Sequence, residues 1–256
     1  MAIDGSLEYA TTRVHARHAL LLDESTWHRI ESSRGAAHFL GALRTSTLAE
    51  WIAATDDASD SHRVERMLRG RWVSYVNAVA AWHPLCWQRW LQWLAWLPGL
   101  SLFAHLARGA AAPAWLMADP VYSPLAARPA DERPAALAGS ALAPLSPVLT
   151  QSVPVSIAWN AHWQRLLPHT DETTRQHLRT LQSALTRHAE AMRQSTDSGA
   201  AARVELARSL AKLFRQAAGT VVATVCHLGL LALQLERLRG GLVRRMLFAT
   251  TARRLP

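Results

Sequence analysis

The residues that could do chemistry in this 256-residue chain are histidines, aspartates, tryptophans and arginines. His15 and His18 stand three apart, a spacing that puts two imidazoles on one helix face, where they could share a metal ion. Arg17 beside them opposes a cation and no acid completes the set, so the pair reads as structural. Asp56, Asp57 and Asp60 lie close together and could hold a divalent ion. A polar turn that caps the next helix explains them as well. Trp82, Trp87, Trp90, Trp93 and Trp96 could stack on bases or on a ligand. Their near-helical spacing reads as packing between helices. Cys86 and Cys226 form neither a metal motif nor a disulfide framework, which implies a reducing compartment.

Motifs that carry catalysis or bind nucleotides are missing. A phosphate-binding loop needs Gly-x4-Gly-Lys-Ser/Thr. The chain's one lysine, Lys212, sits between Ala211 and Leu213 and cannot belong to such a loop. Nor is there a Gly-x-Gly-x-x-Gly, a Gly-x-Ser-x-Gly elbow, a His-Glu-x-x-His or a Cys-x-x-Cys. The chain reads as non-catalytic, with no catalytic, cofactor-binding or metal-binding residue expected.

The elements that would position these residues are helices. Leu7–Leu22 is one; Asp23 or Ser25 caps a second. A third covers about Gly35–Leu43, and a short one follows over Thr47–Ala54. After the polar turn Thr55–Ser61, a long helix runs to Trp82, and Pro84 restarts the chain. Trp87, Trp90, Leu91 and Leu94 then mark one helical face. Eight of the 12 prolines fall between Pro113 and Pro154, which predicts an extended connector with a short helix near Ala135–Leu142. Beyond it, Leu178, Leu181, Leu185, Ala189 and Met192 step by three and four. Val204–Ala217 and Val221–Leu242 do the same after a turn at Ser195–Gly199, predicting a long helical hairpin in which Gly240-Gly241 loosens or ends the second arm. The fold class expected is all-α: a multi-helix bundle with that C-terminal hairpin and a proline-rich central connector. Its parts would be an N-terminal block 1–109, a connector 110–154 and a C-terminal block 155–256.

Charge is unevenly placed. The net charge is +9. From Thr173 to Pro256 there are fourteen basic and four acidic residues, an excess of ten. The rest of the chain is one charge negative. A basic C-terminal third invites an acidic partner, whether nucleic acid, an anionic membrane surface or an acidic protein face; it also fits a solvated arginine-rich surface. Trp90–Leu106 and Val221–Leu235 approach membrane-span hydrophobicity. Each is interrupted or too short for the roughly 20 apolar residues a span needs, so both read as buried core helices. The first six residues have neither the basic nor the apolar region of a signal peptide.

Two segments resemble one family. Tyr9-Ala-Thr-Thr-Arg13-Val-His-Ala-Arg17, running on to Leu20-Leu21-Leu22 and then Leu40-Gly-Ala-Leu43-Arg44-Thr45, resembles the opening of the C/d-type connector family of V-type and archaeal-type rotary ATPases. Leu235-Glu236-Arg-Leu238-Arg239-Gly-Gly-Leu-Val-Arg244 resembles that family's recurring terminal helix. The resemblance implies an all-α, funnel-shaped, non-catalytic socket. It would sit on the cytoplasmic face of the membrane rotor ring and join it to the central stalk, so that torque passes between the ATP-hydrolysing head and the ring that carries protons or sodium ions. Arg13, Arg17, Glu236 and Arg239 lie in the matching motifs, as interface contacts or internal ion pairs. The alternatives are a basic helical protein that binds nucleic acid through salt-dependent arginine–phosphate contacts, a peripheral membrane protein, or an enzyme with a site among the tryptophans.

Overall fold

A computed structural model of the chain describes residues 6–55, 60–194 and 199–252. Every regular element among them is helical. In chain order the α-helices are α1 (Leu7–His18), α2 (Glu24–Glu31), α3 (Ala36–Arg44), α4 (Ala49–Ile52), α5 (Ser61–Ala80), α6 (Leu85–Gln92), α7 (Leu100–Ala107), α8 (Ala114–Met117), α9 (Ser123–Ala126), α10 (Arg133–Ala138), α11 (Ser146–Thr150), α12 (Val155–Arg165), α13 (Glu172–Gln194), α14 (Ala200–Gln216) and α15 (Val221–Ala252). The all-α class expected from the periodicity is what the chain adopts.

Helix starts follow from side-chain oxygens that satisfy the otherwise orphaned first N–H groups. Asp23 accepts from the Thr26 N–H at 2.7 Å, Asp60 from Arg63 at 2.7 Å and Asp171 from Thr174 at 2.7 Å. Asp60 is therefore a helix cap. Asp56 and Asp57, its companions in the candidate metal cluster, and most of the turn expected at Ser195–Gly199 lie outside the described residues.

The chain divides into two units, one of Met1–Gln88 with His169–Pro256, the other of Arg89–Pro168. These boundaries differ from the three expected blocks. Most of the N-terminal and C-terminal helices share one unit, and the proline-rich stretch falls in the other together with residues 89–109 and 155–168.

In the first unit α15 is the common partner of α1, α3, α5, α13 and α14. Its buried positions Val221, Val225, Leu228, Leu231, Leu235, Leu238 and Leu242 recur every three or four residues and form one apolar stripe. α14 runs back along α15: Leu210 lies against Gly229 and Arg203 against Glu236, with Gly219 at φ +82° in the connection. Gly240-Gly241 does not end α15, which continues to Ala252. Gly241 serves close approach instead. A methyl group there would come within 2.6 Å of the Phe39 ring, whereas Gly240 faces open space. Among the described residues, Val221–Met246 is long and apolar enough to cross a membrane, but 67% of that window is buried against the protein.

In the second unit the prolines start helices. Pro124, Pro134 and Pro147 each occupy one of the first two positions of α9, α10 and α11. A proline there lacks only an N–H that has no intrahelical partner, and its fixed φ suits the turn. The expected extended connector is in this way a chain of short helices whose Leu116, Leu125, Leu137 and Leu145 are buried. Tryptophans from both ends of the unit complete its core. Trp90 stacks on Trp163 with centroids 4.8 Å apart, and Trp159 lies 5.5 Å from Trp163. The Trp163 indole N–H donates to the Trp90 carbonyl at 3.2 Å, and that of Trp93 to the Trp159 carbonyl at 3.1 Å. Arg133 is buried with these helices and donates to the carbonyls of Leu106 at 2.6 Å and Arg128 at 3.2 Å.

Candidate functional site

The densest charged constellation lies along the C-terminal half of α15. Successive residues of a helix point about 100° apart, so Glu236, Arg237 and Arg239 face three directions and meet three helices. Arg237 meets α2, where Glu24 and Glu31 are two turns apart on one face. Its guanidinium donates to Glu24 at 2.8 and 2.9 Å and to Glu31 at 2.7 Å through both Nε and Nη2. Its Cζ also lies 4.9 Å from the centre of the Trp27 ring. These hydrogen bonds hold both carboxyls below the usual glutamate range and push the guanidinium pKa up. Arg239 reaches Glu65 on α5 at 2.6 and 2.9 Å. Glu236 accepts from Arg203 on α14 at 2.6 and 2.9 Å.

Arg245 is two turns beyond Leu238. It is buried, with its Cζ 4.1 Å above the Phe39 ring. It donates to the carbonyls of Glu31 at 2.8 Å, Ser33 at 2.7 Å and Gly241 at 3.1 Å. Burial depresses its pKa. A cation on the last carbonyl of α2 and on that of Ser33 just beyond it satisfies acceptors at the helix end and complements the helix dipole.

The four motif positions do not converge on one spot. Glu236 and Arg239 belong to the constellation on α15, each with its own partner. Arg13 is on α1, where it donates to the Tyr9 hydroxyl at 2.6 Å and covers the Trp82 ring at 4.4 Å. Arg17, one turn further, lines a cavity. Sequence reasoning missed Arg237 and Arg245, and with them Glu24, Glu31 and Glu65. The only signal was the C-terminal excess of arginine over a nearly neutral N-terminal part. Part of that excess is met by acids outside the stretch: Glu24, Glu31 and Glu65 as above, and Glu172, which pairs with Arg175 and Arg179.

His15 and His18 act as packing groups. His18 stacks on Phe214 with centroids 3.6 Å apart, and His15 lies 4.6 Å from the same ring. Among the described residues no three of His, Cys, Asp and Glu are placed to share a metal ion. His83 and His227 are buried against polar residues. His83 Nε2 is 3.0 Å from the Thr224 hydroxyl, and His227 Nε2 is 2.8 Å from that of Tyr75. Burial lowers His83 to about 4 and His227 to about 3, and raises Tyr75 to about 12. Near neutral pH such groups hold hydrogen bonds and do not exchange protons. Burial likewise raises Cys226 to about 12, leaving an inert thiol.

The cavity is about 300 Å³ and lies between the end of α1, α4, α5 and α15. Leu20, Leu21, Leu48, Trp51 and Leu231 give it apolar walls. Arg17, Glu50 and Arg71 are its charged groups, and Thr47, Ser74, Tyr75, His227 and Gln234 add hydrogen-bonding ones.

No protein-family model, curated protein or solved structure matches the chain.

Proposed function

We propose that this chain is a non-catalytic connector of the central stalk of a V-type-like rotary ATPase. In this reading it lies on the cytoplasmic face of the membrane and joins the rotor ring to the other stalk proteins. The motif resemblance of α1 and α15 supplies the identity. The single observation that supports a mechanical role is the way α15 is held. A part that passes torque must resist both bending and sliding of its helices. α15 is 32 residues long, roughly 48 Å at 1.5 Å per residue. Its apolar stripe is close-packed, which resists bending. Charge-assisted, partly bidentate hydrogen bonds to α2, α5 and α14 fix its axial position. The motif positions Glu236 and Arg239 contribute to this by holding α15 in place. Exposed Lys212, Arg215 and Arg244 are cations placed to meet acidic partner faces or anionic headgroups.

The test is affinity capture of the tagged full chain from membranes of its native host, with identification of what co-purifies. Rotor-ring and central-stalk proteins should appear together. Recovery of neither overturns the proposal.

A further inference from the structure

Beyond a mechanical role, we propose that the cavity between α1, α4, α5 and α15 binds a small amphipathic monocarboxylate, with its carboxylate between Arg17 and Arg71 and its apolar part against Leu231 and Trp51. Three observations converge on this ligand class. First, two arginines, Arg17 and Arg71, stand at one cavity. Neither makes an ion pair among the described residues. Two guanidiniums beside an apolar cleft are a ready cradle for an oxyanion, since arginine recognises planar carboxylates well.

Second, Glu50 lies at the same cavity, also outside any ion pair among the described residues. The local charge is therefore one positive unit, which matches a monoanion better than a phosphate dianion. Third, Leu20, Leu21, Leu48, Trp51 and Leu231 give the cavity an apolar side, and charged and polar side chains line the rest, so an amphipathic ligand suits it better than a wholly apolar one. At about 30 Å³ per water, the 300 Å³ cavity has room for a short-chain or single-ring acid.

Tyr75 adds a donor. His227 has its Nε2 2.8 Å from the Tyr75 hydroxyl, and its Nδ1 is buried with no partner among the described residues. With the imidazole proton on Nε2, the ring donates to the tyrosine oxygen. The hydroxyl proton is then free to donate to a ligand oxygen in the cavity that Tyr75 lines.

The test titrates the full chain with hexanoate and benzoate, and with hexanamide and benzamide as neutral isosteres, by calorimetry. Inorganic phosphate is the bare-anion control. At least one acid should bind about tenfold or more tightly than its amide, and phosphate should bind more weakly than that acid. Arg71→Gln and Arg17→Gln, each checked for native helicity, should erase the preference for acid over amide, and Arg71→Lys should keep part of it. The proposal is overturned if acid and amide bind alike, if neither binds, if phosphate binds as well as the acids, or if a folded Arg71→Gln chain keeps the preference. The comparison of acid with amide on the unaltered chain decides the matter if the variants do not fold.

Discussion

Two imidazoles kept neutral inside the first unit make a pH-dependent contribution to stability. The unfolded chain protonates His83 and His227 near pH 6.5, but the folded chain does so only near pH 4 and 3. Between those limits the unfolded state holds more protons, so stability falls as pH falls. At pH 5 the cost is about 2 kcal/mol per histidine. Glu24 and Glu31 work in a lower window. Their pKa values are depressed when folded, so their contribution is complete above the unfolded glutamate range and fades only below it. Urea unfolding at pH 7.5 and pH 5.0 should therefore show a drop carried by the histidines. Replacing both with glutamine should shrink it to the part that His18 and His162, also lowered by burial, contribute, and an undiminished drop in that double variant would refute the assignment. Arg237→Ala should cost about 1–2 kcal/mol, because it strips the cation from two neighbouring carboxylates. In a double-mutant cycle with Glu31→Ala, a coupling near zero would contradict the pair. None of this was legible in the sequence. Histidine spacing suggested metal ligands or nothing, and a pairing across some two hundred residues, such as Arg237 with Glu24, leaves no local pattern.

At the scale of elements, α15 distinguishes two adjacent glycines. Gly241→Ala must displace the Phe39 ring, which Arg245 also covers, and should destabilise the fold by about 1–3 kcal/mol. Gly240→Ala meets open space and should stabilise it by about 0.5–1 kcal/mol through helix propensity. Thermal unfolding of the two variants checks this, and equal effects would show that α3 does not press on Gly241. The long helices were readable because leucine, valine and alanine recur every three or four residues over α13, α14 and α15, and because Asp23 and Asp60 announce the starts of α2 and α5. Where Gly240-Gly241 suggested a break, burial outweighed local propensity, since the stripe continues through Leu238 and Leu242. The segment from Pro113 to Pro154 reads as extended in sequence but folds into helices. The α-helices between Pro113 and Thr150 are four to six residues long, too short to show a period, and a proline in a first helical turn looks the same in sequence as a helix breaker.

For the whole molecule, the uneven charge is partly an internal arrangement. Acids of the N-terminal helices meet arginines of the last helix, so the sequence-level division into a neutral and a basic block dissolves within one unit. Composition could show the imbalance but not its resolution, because only the fold brings Glu24, Glu31 and Glu65 to α15. What remains is a stiff helix clasped by its neighbours, which we read as a connector. Inverted vesicles from the native host lacking this chain test that reading most directly, by comparing ATP hydrolysis with ATP-driven ion uptake. Hydrolysis should persist while uptake is lost, and uptake should return when the chain is restored. Uptake unchanged in its absence would contradict the account.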